Sequence, residues 1–213
     1  MKNILLTLFA FVALLTSQAQ TTTAPVIPTE DYLVTISTSY GDMVLLLYNQ
    51  TPLHKKNFIK LAQEHYYDGT TFHRVILDFM IQGGDPNSKD SITTNEGIGG
   101  PDYTIPAEIN PALKHDKGAL AAARMGDEMN PSRASSGSQF YIVQNKNGTP
   151  FLNNNYTVFG QVISGFDVID KIAQTQVDGG SRPLKDVKMK VTVVKMKTKK
   201  IIKLYDCAWF YKV

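Results

Sequence analysis

At 213 residues the chain has the length of one domain with short additions, and 43% hydrophobic against 19% charged residues is the balance of a globular protein with a sizeable core. A net charge of +3 is too small to argue for nucleic acid, and one cysteine, Cys207, excludes an internal disulfide.

Residues 1–19 read as a secretory signal peptide. Lys2 gives a positive start, Ile4 to Leu15 is an apolar run broken by Thr7, and Ser17-Gln18-Ala19 is a small-x-small cleavage site. The run is short of the ~20 apolar residues a bilayer span needs. The expectation is an exported protein, periplasmic or secreted, with no stable membrane insertion after cleavage. Residues 20–30 are a flexible, Thr/Pro-rich lead-in.

From Tyr32 to Ser37 apolar residues alternate, predicting a strand with Tyr32, Val34 and Ile36 on one face. A turn at Ser39–Asp42 and a second strand over Met43–Tyr48 complete a hairpin. Thr51-Pro52 predicts a helix start, with Thr51 as N-cap and Phe58, Ile59, Leu61 and Ala62 on one face of a helix running to about His65.

The stretch Phe72–Pro86, FHRVILDFMIQGGDP, reads as a strand stopped by turn chemistry. Its even positions Phe72, Arg74, Ile76, Met80 and Gln82 share a face, and a bulge at Leu77-Asp78 would bring Phe79 to the same side. A polar loop follows from Pro86 to Tyr103, with glycines at 97, 99 and 100. Strands are expected at Gly118–Ala123, Gln139–Val143, Thr157–Val162 and Val187–Met196, an irregular loop at Arg124–Gly137, and a helix at Phe166–Ala173. Many short strands with two helices argue for an antiparallel barrel.

The stretch around Arg74 sets a cation and a neutral amide beside apolar side chains, with no evident nucleophile and base. His54, His65, His73 and His115 lack metal-ligand spacing, and Ser135, Ser136 and Ser138 lack a nucleophile-elbow context. No metal or cofactor is expected.

Three motifs occur in order: FHRxxxxFMxQGGD from Phe72, GSQFYI from Gly137, and FLxxxYTVFG from Phe151. Together they resemble the cyclophilin family of peptidyl-prolyl cis/trans isomerases, over about residues 31–197. The resemblance implies a mainly β fold, a closed eight-stranded antiparallel β-barrel capped by two α-helices, with a filled interior and a groove on the outer surface. It implies catalysis by Arg74, Gln82 and Phe79, with Arg74 donating to the prolyl nitrogen. Substrate contacts would come from Met80, Gly97, Ala123, Arg124, Gln139, Tyr141, Phe151, Leu152 and Tyr156.

The implied partners are proline-containing unfolded or flexible polypeptides, which a monomer would help to fold outside the cytoplasm. The chain departs from many members at Phe151 (Trp), Tyr156 (His), Tyr141 (Phe) and Arg124 (Asn), and in a longer 124–137 loop. Phe151 in place of Trp and the short leader fit a bacterial-like exported member. A chaperone-like binding module and a carrier barrel are the rival readings. The first would have little need of Arg74; the second needs an empty interior.

Residues 198–213 lie beyond the resemblance and include Ile201, Trp209, Phe210 and Tyr211. Packing on the domain and docking to a partner both remain open for this tail, as does an intermolecular disulfide through Cys207. The lysines of Lys185–Lys203 alternate with Val187, Met189, Val191 and Val193. That pattern reads as a solvated strand face, with an acidic partner or a membrane surface as the alternative.

Overall fold

The computed structural model describes residues 27–213. The expected signal peptide and residues 20–26 of the lead-in lie outside the described residues. The expected hairpin forms from β1 (Glu30–Thr38) and β2 (Gly41–Leu47), with Val34 paired to Leu45 and Ile36 to Met43. These four side chains point into the interior and are fully buried.

Helix α1 (Pro52–Gln63) starts at the expected Thr51-Pro52, but Thr51 does not cap it through its side chain. The Glu108 carboxylate does so instead, accepting from Leu53 N (3.0 Å) and His54 N (2.9 Å) across more than fifty residues. Free amides at a helix start need an acceptor, and an anion there also suits the helix dipole. A cap so distant in sequence leaves no local signature.

The single strand expected from Phe72 is in fact a tight hairpin. β3 (Arg74–Ile76) and β4 (Met80–Gly83) pair antiparallel, and the chain reverses through Asp78 at φ 58°. Arg74 faces Gln82 and Ile76 faces Met80 in the register. Cross-strand partners share a face, so the predicted grouping survives for these four. Phe72 leaves it: it lies before β3 and is fully buried in the interior cluster.

The remaining strands are β5 (Thr104–Ile105), β6 (Ala119–Ala122), β7 (Ser135–Ser136), β8 (Phe140–Val143), β9 (Val158–Ser164) and β10 (Met189–Lys197); α2 spans Phe166–Ala173 and α3 Thr198–Tyr205. Eight strands form one antiparallel sheet in the order β10-β1-β2-β9-β6-β8-β4-β3, while β5 and β7 make a separate ribbon. The end strands β10 and β3 share no ladder. A bridge between Thr71 and Lys188, with Phe72 N donating to Val187 O (3.0 Å) and Met189 N to Thr70 O (2.8 Å), stitches the start of β10 to the chain before β3.

Two apolar layers flank the sheet. The interior one is filled by Phe58, Tyr67, Phe72, Phe140 and Phe159 among others, which leaves no room for a carried ligand. The second lies on the outer face, running from Met80 and Tyr141 through Ala121 and Val158 to Leu33, Leu46 and Tyr48. The small side chains of β6 let this layer sit close to the sheet.

The tail closes the far end of the outer layer, so its packing reading is the one observed. α3 is a third helix that the sequence pattern did not predict. Ile201, Cys207, Phe210 and Tyr211 are buried there, and Phe210 stacks on Tyr48 at 4.5 Å and 11°. Cys207 has no exposed surface, so an intermolecular disulfide would require the tail to leave the domain.

Three histidines are almost sealed: His54 and His115 at 2% exposure, His73 at 6%. Desolvation is the main cause that pulls each below the ordinary imidazole range, since burial penalises the charged ring. Unfolding therefore takes up protons once the pH falls below ~6.5, the value of a free imidazole. Stability should be flat above that pH and fall as the pH drops below it, by at most ~1.4 kcal/mol per histidine at pH ~5.5. Urea midpoints at pH ~7.5 and ~5.5 check this; a higher midpoint at the acid end would contradict it.

Candidate active site

On the outer face, beside the β3–β4 hairpin, lies a pocket of about 130 Å³. Arg74 and Gln82 come to it from facing register positions, and the turn between the strands delivers Phe79. Met80, Tyr141, Leu152, Tyr156, Ala123 and Arg124 complete its lining. The structure thus brings nine of the twelve expected site residues around one space.

Gly97 and Gln139 line an adjoining cavity of about 600 Å³, which shares Gln82, Ala123 and Arg124 with the first. Phe151 lines neither. It stands on the rim, 67% exposed, stacked on Phe79 at 5.7 Å and 29°.

A relay of amides fixes the polar side. Arg74 Nη1 donates to Gln82 Oε1 (3.3 Å), Gln82 Nε2 to Gln139 Oε1 (3.2 Å), and Gln139 Nε2 to the carbonyl of Gly99 (2.8 Å). Gln82 thereby holds the guanidinium through its oxygen, and the remaining guanidinium donors of Arg74 have no partner among the described residues. Arg74 is exposed and has no carboxylate partner among the described residues.

The loop at the relay's far end is tied down by Asp85, which is fully buried. Its carboxylate accepts from Asn87 N (2.8 Å), Gly97 N and Gly99 N (3.1 Å). Gly84 just before it sits at φ 86°, where a Cβ would lie 2.5 Å from the Ser138 carbonyl, so only glycine fits the turn.

The departures at Tyr141, Tyr156 and Arg124 are accounted for by two sets of contacts. Tyr141 Oη lies 3.0 Å from His115 Nε2, and the two rings stack at 12°. The Asn153 side-chain oxygen is 2.9 Å from both His115 N and His115 Nδ1. With Nδ1 donating to that oxygen, Nε2 is free to accept the tyrosine proton, and a neutral imidazole satisfies every partner. Burial raises the Tyr141 phenol above its ordinary value, so it remains a donor.

Arg124 lies under the Tyr156 ring, 4.4 Å from its centroid, and donates through Nε to Asn155 O (3.0 Å). It pairs with Asp127 (2.6 Å), which Arg133 also holds (2.8 Å). Hydrogen bonds from these two arginines keep the Asp127 carboxyl below its usual range. An arginine here ties the long 124–137 loop to the Leu152–Tyr156 wall, which a shorter side chain would not reach.

Sequence reasoning missed Asp85, His115 and Asn153. Asp85 carried a usable signal, an acid between Gly-Gly and Pro where an N-cap belongs. His115 carried none, because its role depends on a tyrosine far along the chain.

The family model described as "Cyclophilin type peptidyl-prolyl cis-trans isomerase/CLD" matches residues 33–194. A peptidyl-prolyl cis-trans isomerase of Arabidopsis thaliana is 40% identical over 163 residues, 75% of this chain and 94% of the plant protein. Peptidyl-prolyl cis-trans isomerase A of Mycobacterium tuberculosis is 38% identical over 167 residues, 70% of this chain and 84% of the relative. The crystal structure of a Cryptosporidium parvum cyclophilin-type isomerase superposes with a TM-score of 0.67 at 33% identity, covering 79% of this chain and 99% of that one. A second structure of that protein, determined in the presence of the dipeptide Ala-Pro, gives 0.66.

Proposed function

The chain belongs to the cyclophilin-type peptidyl-prolyl cis-trans isomerases, and from that premise we propose that Arg74 drives rotation about X–Pro bonds of polypeptides folding outside the cytoplasm. The observation that carries the reading is the facing of Arg74 and Gln82 across one hairpin, beside the apolar walls of Phe79, Met80, Tyr141 and Leu152.

Amide resonance gives the peptide bond a rotation barrier of ~18–20 kcal/mol. In the twisted transition state that resonance is lost. The prolyl nitrogen gains a free lone pair and the carbonyl becomes less polar. A donor aimed at the nitrogen favours this state over either planar isomer, and so does a wall that excludes water.

The apolar side of the pocket takes the proline ring. The guanidinium, charged at every working pH, reaches the nitrogen. Gln82 and Gln139 hold the flanking peptide, and the edge at Gly97–Gly99, fixed by Asp85, borders the residues before proline. No bond to the protein forms and no proton is exchanged with it, so the mechanism requires neither metal nor cofactor.

NMR exchange on a short X–Pro peptide tests the activity. Line broadening at catalytic amounts of the mature chain is expected, and a well-folded chain without it would refute the reading. Export rests on the leader sequence. Expression of the full chain in a secreting bacterium should give a mature N-terminus at Gln20, read by mass spectrometry, and an intact leader on soluble cytoplasmic protein would refute export.

A further inference from the structure

Residues 195–213 lie beyond the segment that matches the family, yet they are folded against it. Two consecutive short helices, α3 and the 3-10 helix Ala208–Lys212, bury one side each on the outer layer through Thr198, Ile201, Phe210 and Tyr211. At 100° per residue, Lys199, Lys200 and Lys203 fall on the arc of α3 opposite Thr198 and Ile201, with Leu204 on its flank. In a three-residue turn Trp209 and Lys212 eclipse each other, on the side away from Phe210 and Tyr211. All six outward residues are exposed, Leu204 at 58% and Trp209 at 46%.

This face is strongly cationic. Of the eight lysines in Lys188–Val213, Lys199, Lys200, Lys203 and Lys212 belong to this face and the other four lie along or just before β10; the segment holds one acid, Asp206, in a chain whose net charge is only +3. Of these lysines only Lys195 has an ion pair among the described residues, with Glu30 (2.8 Å). The charge therefore faces solvent without compensation from the fold.

Lysines on long stems beside an exposed indole and leucine are the chemistry of a bilayer interface, where the amines meet headgroup phosphates and the apolar side chains enter the acyl boundary. We propose that the folded tail docks the protein peripherally on an anionic lipid bilayer, through Lys199, Lys200, Lys203 and Lys212 with Leu204 and Trp209. A nucleic acid or an acidic protein would also attract the lysines and could bury an indole, and the vesicle, duplex DNA and polyglutamate titrations below separate the three. No helix among the described residues is long and apolar enough to cross a membrane. No residue of the tail lines the pocket, and docking does not need the groove.

Trp209 is the chain's only tryptophan, so its fluorescence reports on this face alone. The mature chain is titrated with vesicles of phosphatidylcholine, with and without phosphatidylglycerol. The expected result is a blue shift and co-sedimentation with the anionic vesicles only, weakening as salt rises. At ~1 kcal/mol per lysine, Lys199→Glu, Lys200→Glu and Lys203→Glu together should weaken binding on the order of 100-fold, while isomerase turnover stays unchanged. Trp209→Ala should weaken co-sedimentation as well. No blue shift with phosphatidylglycerol-rich vesicles at low salt would overturn the proposal. So would equal binding by the triple variant, or binding of duplex DNA or polyglutamate without binding of vesicles.

Discussion

Arg74→Ala is expected to lower turnover on an X–Pro peptide by about one to two powers of ten and to leave the unfolding midpoint within experimental scatter. The first half follows from the strength of one charge-assisted hydrogen bond to the prolyl nitrogen, ~1.5–3 kcal/mol. The second follows from the structure. Arg74 is exposed, and its recorded side-chain bond is the 3.3 Å contact to Gln82. Surface substitutions of that kind stay within ~0.5 kcal/mol.

NMR exchange and urea unfolding on the same preparation separate the two quantities. A variant that loses stability in step with turnover would show Arg74 to be structural. A variant that keeps full turnover would move catalysis to desolvation and to the grip of Gln82 and Gln139. Residual activity is expected, because the apolar walls and that grip remain.

Strand positions and the pocket's inventory were legible where their causes are local. Alternation predicted β1 and β2, the run Phe166–Ala173 matched α2 residue for residue, and the three motifs named seven of the nine residues that meet in the pocket. What escaped depends on partners far apart in sequence. The cap of α1 is Glu108, the anchor of the glycine edge is Asp85, and the group beneath Tyr141 is His115. The hairpin at Asp78 was misread because its turn has no glycine there. A non-glycine residue at positive φ is uncommon, and Asp is among the types that tolerate it. The tail escaped for a different reason. Its apolar residues have a helical pattern over only eight residues, too few to tell a docked helix from a free one.

The Phe210→Ala variant decides how firmly that tail belongs to the domain. Phe210 is 4% exposed and stacks on Tyr48, itself buried at the end of the outer layer. Truncating a buried phenylalanine costs ~3–5 kcal/mol, part lost transfer energy and part cavity. For a chain of this size that is a fall in Tm of roughly 10 °C, read by circular dichroism. Turnover of the folded protein at room temperature should be untouched, since no tail residue lines the pocket. The outward lysines should behave oppositely: charge reversal there leaves Tm in place and removes the vesicle response. A Phe210→Ala protein melting within about 2 °C of its parent would mean that the tail rests on the sheet without stabilising it. The bilayer face would then be presented by a loosely held segment, and Cys207 beneath it would become open to thiol reagents.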